Sequence, residues 1–233
     1  LLVAALAGFG GGNFAISVAN ITFFYPQREK GWALGLNAAG GNLGVSVAQF
    51  VVPIAVVVFA GATLNLPVAG WIWIPLILVA IWGAYRHMDN LSTAKADIAA
   101  SLAAVKEPHM WLLAFLYIGT FGSFIGFASV FPKLIADQFP EFSTIQVGAA
   151  SVSLAFLGAL VGSLARPFGG RLADRFGGAR MTVAAFATMG VGTVLVILTL
   201  PLQSFMLFLL AFLVLFIATG VGNGATYRMI PTV

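Results

Sequence analysis

Seven stretches of this chain, residues 1–24, 32–60, 68–85, 110–131, 151–172, 181–200 and 205–222, are long, apolar and free of aspartate and glutamate. About 20 such residues in a helix cover the ~30 Å hydrocarbon core of a bilayer. The runs are apolar on every face and show no strict alternation, so they read as helices and not as strands of a membrane barrel. Only 8% of the 233 residues are charged and 61% are hydrophobic, with Cys 0. That composition excludes a soluble domain, a disordered chain and a disulfide-built scaffold. The lipid bilayer is the expected surrounding. The net charge of +4 is spread among the loops and forms no single basic patch, so no nucleic-acid partner is expected. Pro53 and Pro75 fall inside runs and are expected to kink them.

Charge in the loops orients the bundle. Arg28, Lys30, Arg86, Lys95, Lys106, Arg171, Arg175, Arg180 and Arg228 fall on one side, and Lys133 alone on the other. Basic residues accumulate on the cytoplasmic side, so the first run starts outside. The chain opens at Leu1 within an apolar run, with no initiator Met and no signal-peptide pattern, and it ends at Val233 soon after another run. It reads as an internal segment of a longer membrane protein with an odd number of spans upstream. The longest connector, residues 86–109, carries Met88, Leu91, Ala94, Ile98, Leu102 and Val105 at helical spacing. An amphipathic helix lying along the cytoplasmic face is expected there.

Inside the spans the polar inventory is short. All seven acidic residues lie in loops or at span ends, whereas Arg166 lies eight residues before Asp174, the residue that marks the interface. Eight residues at ~1.5 Å each place Arg166 about 12 Å into the membrane. A charge at that depth is expensive, and an inward-facing, functional arginine is expected. With no span carboxylate to pair with, it calls for a mobile anion, and a guanidinium suits planar or tetrahedral oxyanions. Counting from cytoplasmic anchors, Asn42 lies about 18 Å beyond Lys30 and Phe14 about 17 Å from Tyr25. Tyr117 and Phe121 lie about 14 and 20 Å from Pro108. These residues share a layer near the midplane, where transporters bind substrate. The amide of Asn42 has to find partners, either across a helix interface or on a ligand. Gly8–Gly12 and Gly35–Gly44 supply small residues that suit a tight helix interface. They lie within spans, with no preceding strand, and so do not form a dinucleotide-binding loop.

The segment Gly170-Arg171-Leu172-Ala173-Asp174-Arg175-Phe176-Gly177-Gly178-Ala179-Arg180 is a compact cytoplasmic turn. Gly177 and Gly178 allow positive φ. Asp174 can accept hydrogen bonds from the N–H groups of the following helix or from an arginine. A conformational latch is expected. No HExxH motif and no cysteine nucleophile is present, and His87 and His109 fall in loops. No catalytic residue, metal or cofactor is expected, and the chain does not read as an enzyme.

Gly170–Arg180 resembles the cytoplasmic loop motif of the major facilitator superfamily, in the copy between its eighth and ninth helices. Residues 8–53, together with TFGSFIGF (120–127) and GSLARPFGGRLADRFGG (162–178), resemble the nitrate/nitrite porter family. The second span is similar to that family's nitrate signature. The resemblance implies an all-α membrane protein of which seven of twelve helices, the fourth to the tenth, are present. Residues 1–85 would close the N-terminal half, 86–109 would link the halves, and 110–233 would open the C-terminal half. Arg166 would be one of two substrate-binding arginines, with Phe14 and Phe121 sandwiching the planar anion and Tyr117 and Asn42 beside it. Gly170, Asp174, Arg175, Gly177 and Arg180 would form the gating motif. The implied function is transport of nitrate, nitrite or both across the cytoplasmic membrane by alternating access, by a monomer, as nitrate/nitrite exchange or proton-coupled uptake. The absence of span carboxylates favours exchange. Transport of another small anion, or anion sensing without transport, are the other readings. The segment alone is not expected to transport.

Overall fold

The computed structural model describes residues 2–60, 64–88, 103 and 105–230. Each of the seven apolar runs is mostly helical in the described residues. The elements are α1 (Leu2–Phe24), α2 (Lys30–Val58), α3 (Val68–Trp71), α4 (Ile74–His87), α5 (Pro108–Tyr117), α6 (Ser123–Gln138), α7 (Phe156–Phe176), α8 (Gly178–Thr199) and α9 (Phe205–Met229). A π-helical turn, Ile118–Gly122, joins α5 to α6 into one span. Five of the described spans reach membrane length and hydropathy on composition alone. α7 is the least apolar, because 21 residues hold Arg166, Arg171, Asp174 and Arg175. The amphipathic helix expected in the connector falls mostly on residues 89–102 and 104, outside the described residues.

Three local expectations are corrected. Pro75 does not kink a continuous span: it sits in the first turn of α4, where its missing N–H leaves no hydrogen bond unmade, and the third span is interrupted at Ile72 and Trp73. The fifth span does not begin at Ser151. Residues Thr144–Val147 and Ala150–Ser153 form an antiparallel hairpin, with Val147 opposite Ala150 and Gly148 at φ +61 in the turn. Val152 and Ala150 are buried, whereas Ser151 and its partner Gln146 are exposed, as two-residue alternation requires. The glycine-rich runs form the expected tight interface only in part, at Gly35, which abuts Arg166 of α7. A Cβ at Gly11, Gly12, Gly40, Gly41 or Gly44 would meet nothing within 4 Å.

The tight packing lies around α7. It runs antiparallel to α2, with Gly31 against Gly170, Gly35 against Arg166 and the Ser46 hydroxyl donating to the Phe156 carbonyl at 3.0 Å. It runs parallel to α9, with Gly158 against Phe216, Gly162 against Gly220 and Gly224 against Arg166. In lipid the association of helices is driven by close packing, and small residues permit it. Toward the other end of the bundle the core is aromatic. Phe208, Phe212 and Phe216 repeat every four residues along one face of α9, and the Phe212 ring stacks on Phe131 at 4.3 Å. Leu76, Val79, Val183 and Leu198 are among the residues exposed on the outer surface, as helices facing lipid require.

The basic ends converge. Asp174 binds both the start of α2 and Arg228 at the end of α9, while one cavity joins Tyr25 to His87 and another joins His109 to Ala179. Lys133 lies at the opposite end, paired with Asp137 at 2.8 Å.

Candidate functional site

Arg166 stands at the centre of this packing. α7 carries it into the interior, and Gly35 of α2 and Gly224 of α9 close on its backbone carbonyl from two sides. A Cβ at Gly35 would stand 2.7 Å from that oxygen. Gly35→Val is therefore expected to push α2 from α7 at the level of the site, costing about 1–3 kcal/mol. A lowered Tm of the intact protein in detergent checks this.

The side chain of Arg166 is fully buried, so it does not snorkel to the interface. Its guanidinium carbon lies 4.5 Å from the Phe124 ring centre and 5.5 Å from that of Phe121. Nε, Nη1 and Nη2 have no hydrogen-bond partner, and no described carboxylate pairs with it. Cation–π contact supports the charge without using its donors. Its five in-plane N–H groups thus remain without a hydrogen-bond acceptor among the described residues.

Phe121 connects this arginine to a cavity of about 440 Å³ lined by Gly11, Phe14, Gly41, Asn42, Tyr117 and Phe121. The structure brings together four of the five residues expected in the site, on α1, α2, α5 and the π turn, and places Arg166 behind the Phe121 wall. Tyr117 and Phe121 stack at 5.1 Å with planes 17° apart. Tyr117 immediately precedes the π turn and Phe121 lies within it; the extra residue of such a turn changes the facing of side chains, and π turns recur at functional sites. The amide of Asn42 does not bridge helices. Its Nδ2 donates to the Ala38 carbonyl of its own helix at 2.8 Å, and the side chain lines the cavity.

Two residues of α9 were not expected. The Tyr227 hydroxyl shares a 2.7 Å hydrogen bond with that of Tyr117, and its ring lies 5.9 Å from Phe14. Asn223 is fully buried, with neither amide atom hydrogen-bonded. Hydropathy ends the last run at Gly222, although the helix continues to Met229. An asparagine one residue past an apolar run was the available signal.

At the cytoplasmic end, Asp174 accepts hydrogen bonds from the N–H groups of Gly31 at 3.0 Å and Trp32 at 2.9 Å. Those N–H groups belong to the first turn of α2, whose own N-cap residue, Glu29, makes no capping bond. Its Oδ1 also lies 2.6 Å from Arg228 Nε, an ion pair with Arg228 19% and Asp174 8% exposed. Asp174 was expected to serve the following helix or an arginine. Arg228 is that arginine, but the helix that Asp174 caps lies more than 140 residues earlier in the chain, because Gly31 and Gly170 let the two backbones touch. Gly177, at φ +92, turns α7 into α8. Arg175 is exposed and lies over Phe176 at 5.2 Å, and Arg180 is exposed. Neither is brought to Asp174.

The whole chain, residues 1–233, matches the Major Facilitator Superfamily. It is 42% identical to the nitrate/nitrite transporter NarU of Salmonella typhimurium, with 100% of this chain covering 52% of that protein. The figures for NarU of Escherichia coli K12 are 40% identity, 100% and 52%, and for the probable nitrate/nitrite antiporter NarK2 of Thermus thermophilus 37%, 100% and 56%. The chain spans about half the length of these curated relatives. A helical, multi-pass membrane architecture, a buried arginine beside an aromatic cavity and a full-length match converge: the chain belongs to the major facilitator superfamily and, within it, is similar to the nitrate/nitrite transporters.

Proposed function

We propose that this chain forms the middle of a transporter that moves nitrate, nitrite or both across the cytoplasmic membrane by alternating access. The observation that carries this reading is Arg166: a buried guanidinium with three nitrogens lacking a hydrogen-bond partner and no carboxylate paired with it among the described residues. A charge so placed is compensated by an anion, and a small planar oxyanion matches its fork. The aromatic cavity at Phe14 and Phe121 offers flat faces for the same anion. The names of the relatives support nitrate and nitrite as the substrates. In this reading Gly170, Asp174 and Gly177 form the cytoplasmic gating motif, with Arg175 and Arg180 on its solvent side. The division at residues 85 and 109 separates two half-domains that rock about the site. The protein works as a monomer, and transport rather than bond chemistry is its activity.

The latch favours transport over sensing. Asp174 ties a helix of the proposed first half to two of the second, and breaking and remaking such a contact is what alternating access requires. The reading is tested with the full-length protein in proteoliposomes, labelled nitrate outside, nitrite inside and pH clamped. Nitrate is expected to enter only against internal nitrite. Equal uptake by vesicles without nitrite would remove exchange from the proposal, and no uptake under a proton gradient as well would remove nitrate.

A further inference from the structure

Asn223 has a chemical property that the proposed site does not yet use. It is 0% exposed, and both Oδ1 and Nδ2 lack partners. A buried amide without hydrogen bonds is costly, so it requires a polar group that the described residues do not supply. Asparagine that glues membrane helices is bonded across them, as Asn37 is to Ser17 at 3.0 Å. Asn223 is not.

Its place in the fold identifies that group. α9 runs antiparallel to the span formed by α5, the π turn and α6. Phe216 meets Phe124 edge-on at 5.9 Å, Gly222 faces Thr120, and Tyr227 bonds Tyr117. Asn223 stands seven residues after Phe216 and four before Tyr227, on the same helical face. This puts it in the layer of Thr120 and Phe121. The packing of α7 gives the same layer independently, since Gly224, the next residue, abuts the Arg166 carbonyl. Arg166 in turn lies over Phe121 and Phe124. Two fully buried, unpartnered polar side chains, one cationic and one a neutral amide, therefore share one layer of the bundle.

We propose that Asn223 is a specificity-determining residue of the anion site, its Nδ2 donating a hydrogen bond to an oxygen that the Arg166 fork leaves free. The inference rests on the nitrate/nitrite reading above. A fork binds two oxygens of a planar oxyanion. Nitrate keeps a third oxygen, which an adjacent amide N–H satisfies, while nitrite has none. Asn223 thus favours nitrate over nitrite through a neutral donor.

The test uses full-length protein in proteoliposomes, with KM and kcat measured separately for nitrate and nitrite. Asn223→Leu is expected to raise the nitrate KM about ten- to hundredfold, the range of a hydrogen bond to a charged group. The nitrite KM stays within about threefold, so the preference shifts toward nitrite. Asn223→Asp keeps the size of the side chain and places a carboxylate in the arginine's layer. It is expected to abolish binding of both anions in protein that elutes from size exclusion as the wild type does. An unchanged nitrate-to-nitrite KM ratio in Asn223→Leu, or normal binding of both anions by Asn223→Asp, overturns the role of Asn223 and leaves the transport reading standing. Wild-type protein that carries neither anion overturns the transport reading itself.

Discussion

Arg166→Lys in the intact protein is expected to lower nitrate affinity by about two orders of magnitude, ~3 kcal/mol, while insertion and folding stay unchanged. Lysine keeps the positive charge and an apolar stem, so the burial seen at this position is preserved. What it lacks is the planar fork, and with it two hydrogen bonds in fixed directions and stacking on flat rings. The guanidinium lies over the rings of Phe121 and Phe124 at 5.5 and 4.5 Å, which give it two flat faces to rest on. A flexible ammonium cannot hold an oxyanion in that orientation. Nitrate binding by detergent-solubilised variant, measured beside nitrate exchange in vesicles, checks the expectation. Exchange at the wild-type rate in a variant of equal abundance would show that Arg166 is not the anion's partner.

Asp174→Asn is expected to slow exchange about tenfold or more while leaving nitrate affinity within about threefold. The substitution keeps the shape but removes the charge that two N–H groups of α2 and Arg228 share. Loss of one partner from a largely buried pair costs about 3–5 kcal/mol. In the alternating-access cycle proposed above that cost falls on one state, because the contact joins helices of the two proposed halves. Asp174 is eight residues from Arg166 along α7, about 12 Å, too far to touch the anion. The signature is therefore a fall in kcat with KM retained. Arg175→Gln and Arg180→Gln, both on exposed side chains, are expected to change kcat less than twofold. A loss at Arg175 equal to that at Asp174 would mean that the gating motif works through its surface charge.

The spans were legible because hydropathy in a bilayer is a direct consequence of what the solvent will accept. The hairpin at Thr144–Ser153 was missed although it carries a signal. Thr144, Gln146, Ser151 and Ser153 alternate with apolar residues around Gly148, the strand pattern rather than the helical one. Residues Ser151, Val152 and Ser153 of its second strand merge into the neighbouring apolar run, while Thr144–Val147 fall in the connector between runs. The π turn at Ile118–Gly122 leaves no mark in composition, since one additional residue per turn does not change hydropathy. Glycine density was a poor guide for another reason. Small residues permit close approach without requiring it, and which of the many glycines meet a partner depends on the register between helices.

The sequence by itself determined that the chain crosses a membrane, which end of the bundle is basic, and that one arginine lies deep with no acid beside it. These follow from local composition and from counting residues along a helix, and no partner is needed to read them. Tertiary structure decided what each polar group meets. It set Arg166 over two phenylalanine rings and gave Asp174 to the start of α2 and to Arg228. It also left Asn223 buried and unbonded. All of these depend on α7 packing antiparallel to α2 and parallel to α9 through backbone contacts at Gly31, Gly35, Gly170, Gly220 and Gly224. Such a register is a property of pairs of helices far apart in sequence, and no single run contains it.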